Sequence, residues 1–320
     1  SVEQSGVSAE ILETWIPIDS AREIATTLKI IENLEASVEF SNLARVVLSN
    51  CLRELSNQRA GEWKLYRKEG FLVKDLKEGA DINKMARLPL VQVMTKKIHS
   101  AIHGIRDLSD KLTQSEYANE CRVFDTNSVH EIIFPSTPYE GYDLVVTSPP
   151  YGDSATTVAY SQFSWFSNTW LGLDRRSQVK LASEMMGGNI SSPLFTEGEL
   201  KKFGCKAIDR AISKMEDSFA RKNYVFYRDY LESIRHVSQN VKKGGFVCYV
   251  VGNRTSGGEY MRMDLFTKWA FEKYGFKSRL IKERTLSNTR MPGKIAIIDE
   301  GVKRIIPTMN KELIVICQKN

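Results

Sequence analysis

Cysteine and histidine are scarce in this chain, with five of the one and four of the other in 320 residues. The cysteines (Cys51, Cys121, Cys205, Cys248 and Cys317) stand far apart and are odd in number. That excludes a disulfide framework and fits a reducing, cytoplasmic setting. No Cys-x-x-Cys occurs and the histidines are few, so no metal site is expected. Apolar runs are short. None approaches the ~20 residues of a membrane-spanning helix, and no leader peptide is visible at Ser1, so no membrane partner is expected. The absence of an initiator Met points to a fragment or a processed chain.

What is present reads as a globular protein. A hydrophobic content of 42% and a charged content of 26% are ordinary, and the length supports a sizeable core in one large domain or two. The net charge of +6 fits a polyanionic partner. The basic residues crowd into two stretches. One holds Arg53, Arg59, Lys64, Arg67, Lys68, Lys74 and Lys77, interleaved with Trp63 and Tyr66. The other holds Lys277, Arg279, Lys282, Arg284, Arg290 and Lys294. Phosphate contacts, above all by Lys64, Arg67 and Arg290, compete with a merely solvated face at both.

The pattern changes along the chain. Residues 1–118 read as helical: Phe40, Leu43, Ala44, Val47, Leu48, Cys51, Leu52 and Leu55 recur at three- and four-residue spacing. Further helices are expected over 22–34 and 88–112. From 119 to 320 strands and helices alternate, the signature of a doubly wound α/β sheet. The strand candidates are Cys121–Phe124, Tyr142–Thr147, Phe246–Val251, Phe276–Arg284 and Leu313–Cys317, the last two paired antiparallel across the loop between them. Helices are expected over 161–171, 224–241 and 263–274, with Gly244-Gly245 closing the second by left-handed φ. Phe163, Trp165, Phe166 and Trp170 read as helix core. Residues 172–223 are polar and broken by Gly and Pro, as in an insertion or a mobile loop.

One segment is more specific. Tyr142-Asp143-Leu144-Val145-Val146-Thr147 ends in Ser148-Pro149-Pro150-Tyr151-Gly152-Asp153. Two prolines cannot continue a ladder, since they lack an N–H and have fixed φ. The chain therefore leaves the sheet at its carboxyl edge, where open α/β sheets bind ligands. A stiff turn with outward carbonyls and a neighbouring tyrosine suits a planar group that bears an amine.

The strand followed by Thr-Ser-Pro-Pro-Tyr resembles the catalytic motif of DNA amino-methyltransferases, in the Ser-Pro-Pro-Tyr form of the cytosine-N4 branch. The likeness extends through Gly152-Asp153-Ser154, Thr156–Tyr160, Lys243–Val247 and Thr308–Glu312, roughly the last two-thirds of the chain. The resemblance implies a Rossmann-like, S-adenosylmethionine-dependent sheet with a reversed last strand, in which Tyr142–Thr147 is the fourth strand and Phe246–Val251 the fifth. It implies double-stranded DNA as partner and a bacterial restriction–modification setting. Ser148, Pro149, Pro150 and Tyr151 would be catalytic, with the base flipped out of the duplex. Asp125 and Thr147 would line the cofactor site. Asp125 reads equally as a turn residue. Asp153, Asn253, Arg254 and Arg290 would meet base or DNA, and Asp153 reads equally as a turn cap. No Pro-Cys dipeptide is present, so the covalent cysteine route of carbon-5 methylation is not expected.

The family's glycine turn, which lets backbone approach the cofactor, is missing. Gly187-Gly188, Gly244-Gly245 and Gly257-Gly258 lack its spacing. The first strands of the sheet are expected to be absent, supplied either by a missing N-terminal segment or by a second polypeptide. The rival readings are adenine-N6 methylation, a cofactor-less DNA-binding or assembly subunit, and methylation of RNA or of protein glutamine.

Overall fold

The computed structural model describes residues 15–58, 89–113, 122–130, 141–152, 160–188, 202–285, 294–299, 302–307 and 311–320. Two compact units emerge. The first falls within residues 1–122 and 159–181, the second within 123–158 and 182–320.

The first unit is helical: α1 (Ile18–Glu32), α2 (Val38–Leu55), α3 (Leu90–Thr113), α4 (Tyr160–Phe163), α5 (Trp165–Trp170) and most of α6 (Arg175–Glu184). Helix α2 opens where the Ser37 hydroxyl accepts from the Phe40 N–H at 3.3 Å, satisfying an amide with no partner inside the helix. Its buried stripe is Val47, Leu48, Cys51, Leu52 and Leu55. The expected stripe is therefore shortened at its start, because Phe40 is exposed. From Leu48 onward the stripe packs in a core with Ala21, Ile24, Leu90, Val93, Phe166 and Trp170. Residues 161–171, expected as one helix, fall in two. Phe166 and Trp170 are core, whereas Phe163 is partly exposed beneath the Arg53 guanidinium, 4.0 Å from its ring centroid. Arg53 thus serves a cation–π contact. The rest of the first basic stretch, with Trp63 and Tyr66, lies outside the described residues.

The second unit is built on a four-stranded mixed sheet in the order β1 (Tyr142–Thr147), β2 (Val241–Val251), β8 (Lys311–Lys319), β5 (Phe276–Thr285). Strand β1 runs parallel to β2, and β8 runs antiparallel to both its neighbours. The last strand is thus reversed and sits between β2 and β5. Two hairpins accompany the sheet: β3 (Arg254–Ser256) with β4 (Glu259–Met261), and β6 (Lys294–Asp299) with β7 (Val302–Pro307). The second occupies part of what reads in sequence as a plain loop. Helices α7 (Lys206–Ile212), α8 (Asp217–Asn240) and α9 (Met263–Lys273) complete the unit. With α6 and α7, the stretch 172–223 contains regular structure.

Two expectations fail locally. Residues 122–127 form no strand, and Val123 is 94% exposed, because no described strand lies beside it to pair with. Gly244 does not cap α8. That helix ends at Asn240, whose side-chain N–H₂ donates to the His236 carbonyl at 2.8 Å, and Val241 is already extended. The positive φ of Gly244 (79°) instead serves a bulge in β2, where Tyr142 and Leu144 face Val241 and Phe246. Beside it, a Cβ on Gly245 would lie 2.9 Å from the Tyr142 carbonyl oxygen.

Side-chain alternation divides the sheet into two faces. Val247, Tyr249, Val251, Val315 and Cys317 are buried in one core with α7, α8 and α9. Leu144, Val146, Phe246 and Leu280 lie on the opposite face by register, and all are exposed, Leu144 at 56% and Val146 at 65%. Among the described residues the second helical layer of a doubly wound sheet is not seen. No helix among them is long and apolar enough to cross a membrane.

The covered core is aromatic. Phe266 of α9 meets Phe203, Tyr227, Tyr230 and Trp269 with ring centroids 4.7–6.0 Å apart. Phe266→Ala should cost about 3–5 kcal/mol in chemical denaturation of the chain. Burial raises the phenol pKa values of Tyr227, Tyr230 and Tyr249 above the ordinary value of 10.0. A raised acid pKa favours the folded, protonated form, so this contribution is complete below about pH 10 and is lost as pH rises further. Burial raises the Cys51, Cys205 and Cys317 thiols above their ordinary 9.0 in the same sense, so melting temperature should hold steady up to about pH 9 and fall with increasing slope above it.

Candidate active site

Strand directions gather one set of residues at one sheet edge. Parallel β1 and β2 end there, at Thr147 and Val251. Reversed β8 begins there, with Leu313 opposite Val251. Strand β5 ends there, with Arg284 opposite Glu312. The edge therefore carries the turn 148–152 after β1, Asn253 and Arg254 after β2, Arg284, and Glu312.

Ser148, Pro149 and Pro150 have no regular structure, and Tyr151-Gly152 forms a bend. Ser148 is exposed, Tyr151 half-buried and Gly152 buried. The Tyr151 hydroxyl donates to Glu312 Oε1 at 2.7 Å and lies 3.1 Å from Ser148 Oγ. The Arg284 guanidinium donates to the other carboxylate oxygen, Oε2, through Nε at 3.1 Å and also through Nη2. Desolvation by burial, with the Glu312 carboxylate adding to it, pushes the Tyr151 phenol up to about 12. At neutral pH the phenol is thus a hydrogen-bond donor.

Arg254 supports the turn from behind. A Cβ on Gly152 would fall 2.3 Å from its Nε, so a side chain there would force the guanidinium to shift. Arg254 Nη2 donates to Asn223 Oδ1 at 3.2 Å. Asn223, fully buried in α8, donates in turn to the Phe219 carbonyl and to Ser256 Oγ, at 2.8 and 2.9 Å. Asn253 is buried, and its Oδ1 accepts from the Asp264 N–H at 3.1 Å, in the first turn of α9. These bonds tie the loop after β2 to two helices.

The structure brings together Thr147, Ser148, Pro149, Pro150, Tyr151, Asn253 and Arg254. Asp125 stands apart from that network, exposed on an irregular segment tied to α8, where Ser128 meets Ser233 Oγ and His236 Nδ1, each at 2.9 Å. Asp153, Arg290, Lys64 and Arg67 lie outside the described residues. In the second basic stretch, Arg279 donates to Gln318 and Arg284 to Glu312. Sequence reasoning missed the roles of Glu312, Arg284 and Asn223. Glu312 stood within a stretch of family likeness, but nothing in the sequence links it to Tyr151, 161 residues away.

Gly152→Ala should destabilise the second unit by about 1–3 kcal/mol through overpacking against Arg254. In an Arg254→Ala background most of that cost should vanish, as read by a double-mutant cycle in denaturant. Strict additivity would remove the contact from the account.

The chain is similar to the Type II methyltransferase M.MvaI of Kocuria varians, with 27% identity over 282 residues. The match takes in 85% of this chain and 60% of the relative, so the chain spans less than two-thirds of that protein's length. No family model and no solved structure matches the chain. The mixed α/β sheet with its reversed last strand is compatible with a methyltransferase fold.

Proposed function

We propose that this chain carries the acceptor half of a site-specific DNA methyltransferase, which places a methyl group on the exocyclic N4 amine of a flipped cytosine. One observation carries the reading: Ser148-Pro149-Pro150-Tyr151 stands at the carboxyl edge of the sheet, with its tyrosine fixed from behind and its serine open to solvent. Similarity to a Type II methyltransferase across most of the chain supports it.

The chemistry asks for positioning. A cytosine amine is a poor nucleophile because its lone pair is delocalised into the ring. Ser148 Oγ and the Pro149 carbonyl can accept its two N–H groups, draw the nitrogen toward sp³ geometry and aim the lone pair away from the ring. Pro150 keeps the turn stiff, and the Tyr151 ring offers a face for the flipped base. Arg254 holds the turn from behind through Gly152. Asp153, Arg290, Lys64 and Arg67 are proposed contacts to the base or the phosphates.

S-adenosylmethionine is the methyl donor this reading implies. The described residues do not fit it as a set: Thr147 ends β1, Asp125 lies on a segment tied to α8, and no glycine turn stands beside them. We therefore place the donor site on a further polypeptide segment that carries the glycine turn, either upstream in the same protein or in a second chain. Leu144 and Val146 are exposed with no covering layer among the described residues, which favours a dependent subunit as the second reading.

The chain should be incubated with duplex DNA and S-adenosylmethionine, alone and with such a segment, and the nucleosides analysed by mass spectrometry. N4-methylcytosine is expected when the segment is present. N6-methyladenine would reassign the branch, and no methylated base in either mixture would overturn the proposal. Calorimetry should show no cofactor binding by this chain alone, and tight binding would sink the dependent-subunit reading.

A further inference from the structure

Glu312 is buried, 9% exposed, at the start of β8, and its two oxygens have divided tasks. Oε2 takes the Arg284 guanidinium and Oε1 takes the Tyr151 hydroxyl. A buried carboxylate is tolerated when it is paired and hydrogen-bonded, and here one partner is a cation and the other a phenol in the proposed active-site turn.

The donor directions follow from the chemistry of each group. A carboxylate only accepts, so the Tyr151 proton is committed to Glu312 at 2.7 Å. The Tyr151 oxygen can then only accept from Ser148, whose hydroxyl lies 3.1 Å away and must supply the proton of that bond. With its single hydrogen directed inward, Ser148 Oγ presents lone pairs to solvent. Take Glu312 away and the phenol can turn its own hydrogen toward Ser148. The serine hydrogen is then free to point outward, where it would meet an amine N–H donor to donor.

We propose that Glu312, anchored by Arg284, is a positioning residue that sets the direction of the Tyr151–Ser148 hydrogen-bond chain, so that Ser148 faces the target base as an acceptor and selects an amino group over a carbonyl. The inference rests on the base-amine reading above and deepens it by naming what makes the site amine-specific. A plain structural tie between β8 and the turn would use the same contacts but would not govern that selectivity.

The test has two arms. In the first, the chain is prepared with tyrosine labelled with ¹³C at Cζ, and the Tyr151 signal is identified by its loss in Tyr151→Phe. Glu312→Gln and Arg284→Ala should both move that signal in otherwise folded protein. An unmoved signal in Glu312→Gln overturns the proposal whatever the chain's function. In the second arm, fluorescence anisotropy compares a cytosine-rich single-stranded oligonucleotide pool with the same pool carrying uracil at every cytosine. The unaltered chain should prefer cytosine. Glu312→Gln should lose about tenfold of that preference, Glu312→Asp should restore part of it, and Glu312→Gln should add nothing in a Tyr151→Phe background. Retained preference in Glu312→Gln, or full additivity with Tyr151→Phe, overturns the proposal. If the unaltered chain shows no preference for cytosine, the base-amine reading fails and the claim of amine selectivity falls with it. The labelled tyrosine still decides whether Glu312 orients Tyr151.

Discussion

The site depends on the register of one reversed strand. Strand β8 enters the sheet between β2 and β5, antiparallel to both, and starts at the edge where β1, β2 and β5 end. That direction puts Glu312 opposite Arg284 and within reach of Tyr151. A slip of one residue would send Glu312 to the other face of the sheet, because side chains alternate with period two. The burial of Val315 and Cys317 beside Val247 and Tyr249 opposes such a slip, since it would carry those side chains out of the aromatic core. Packing on one face of β8 therefore holds the polar contact at its end.

The turn itself is braced on two sides by different chemistry. A charged and hydrogen-bonded link runs from Arg284 through Glu312 to Tyr151. Steric contact runs from Arg254 to Gly152, backed by the buried amide of Asn223. Both prolines add stiffness that needs no partner. Of Ser148, Pro149, Pro150 and Tyr151, Ser148 alone is exposed. This is the arrangement expected of a group that must be held still and yet touched by a ligand.

The two faces of the sheet carry unlike surroundings. One packs α8 and α9 through Phe266, Tyr227 and Tyr230, and the other leaves Leu144, Val146, Phe246 and Leu280 exposed. Among the described strands β1 stands at one end of the sheet, paired with β2 alone, and its Leu144 and Val146 are exposed.

Much of this was legible in the sequence, for identifiable reasons. Tyr142–Thr147, Phe276–Arg284 and Leu313–Cys317 are apolar or alternating runs bounded by Gly, Pro or charge, and each became a strand with little change. The helix reading of 263–274 held because its apolar spacing and Gly275 agree. Val123 looked like strand and is not, since a strand is a pairing and no described strand stands beside it. Gly244 looked like a helix cap and is a bulge, because β2 begins earlier than its apolar run. The sequence by itself determined that a stiff Ser-Pro-Pro-Tyr turn leaves a strand, since proline's fixed φ and missing N–H act within a few residues. Only the tertiary structure decided that Glu312 and Arg284 stand behind that turn. A contact across 161 residues comes from strand order and register, which the packing of the whole sheet sets.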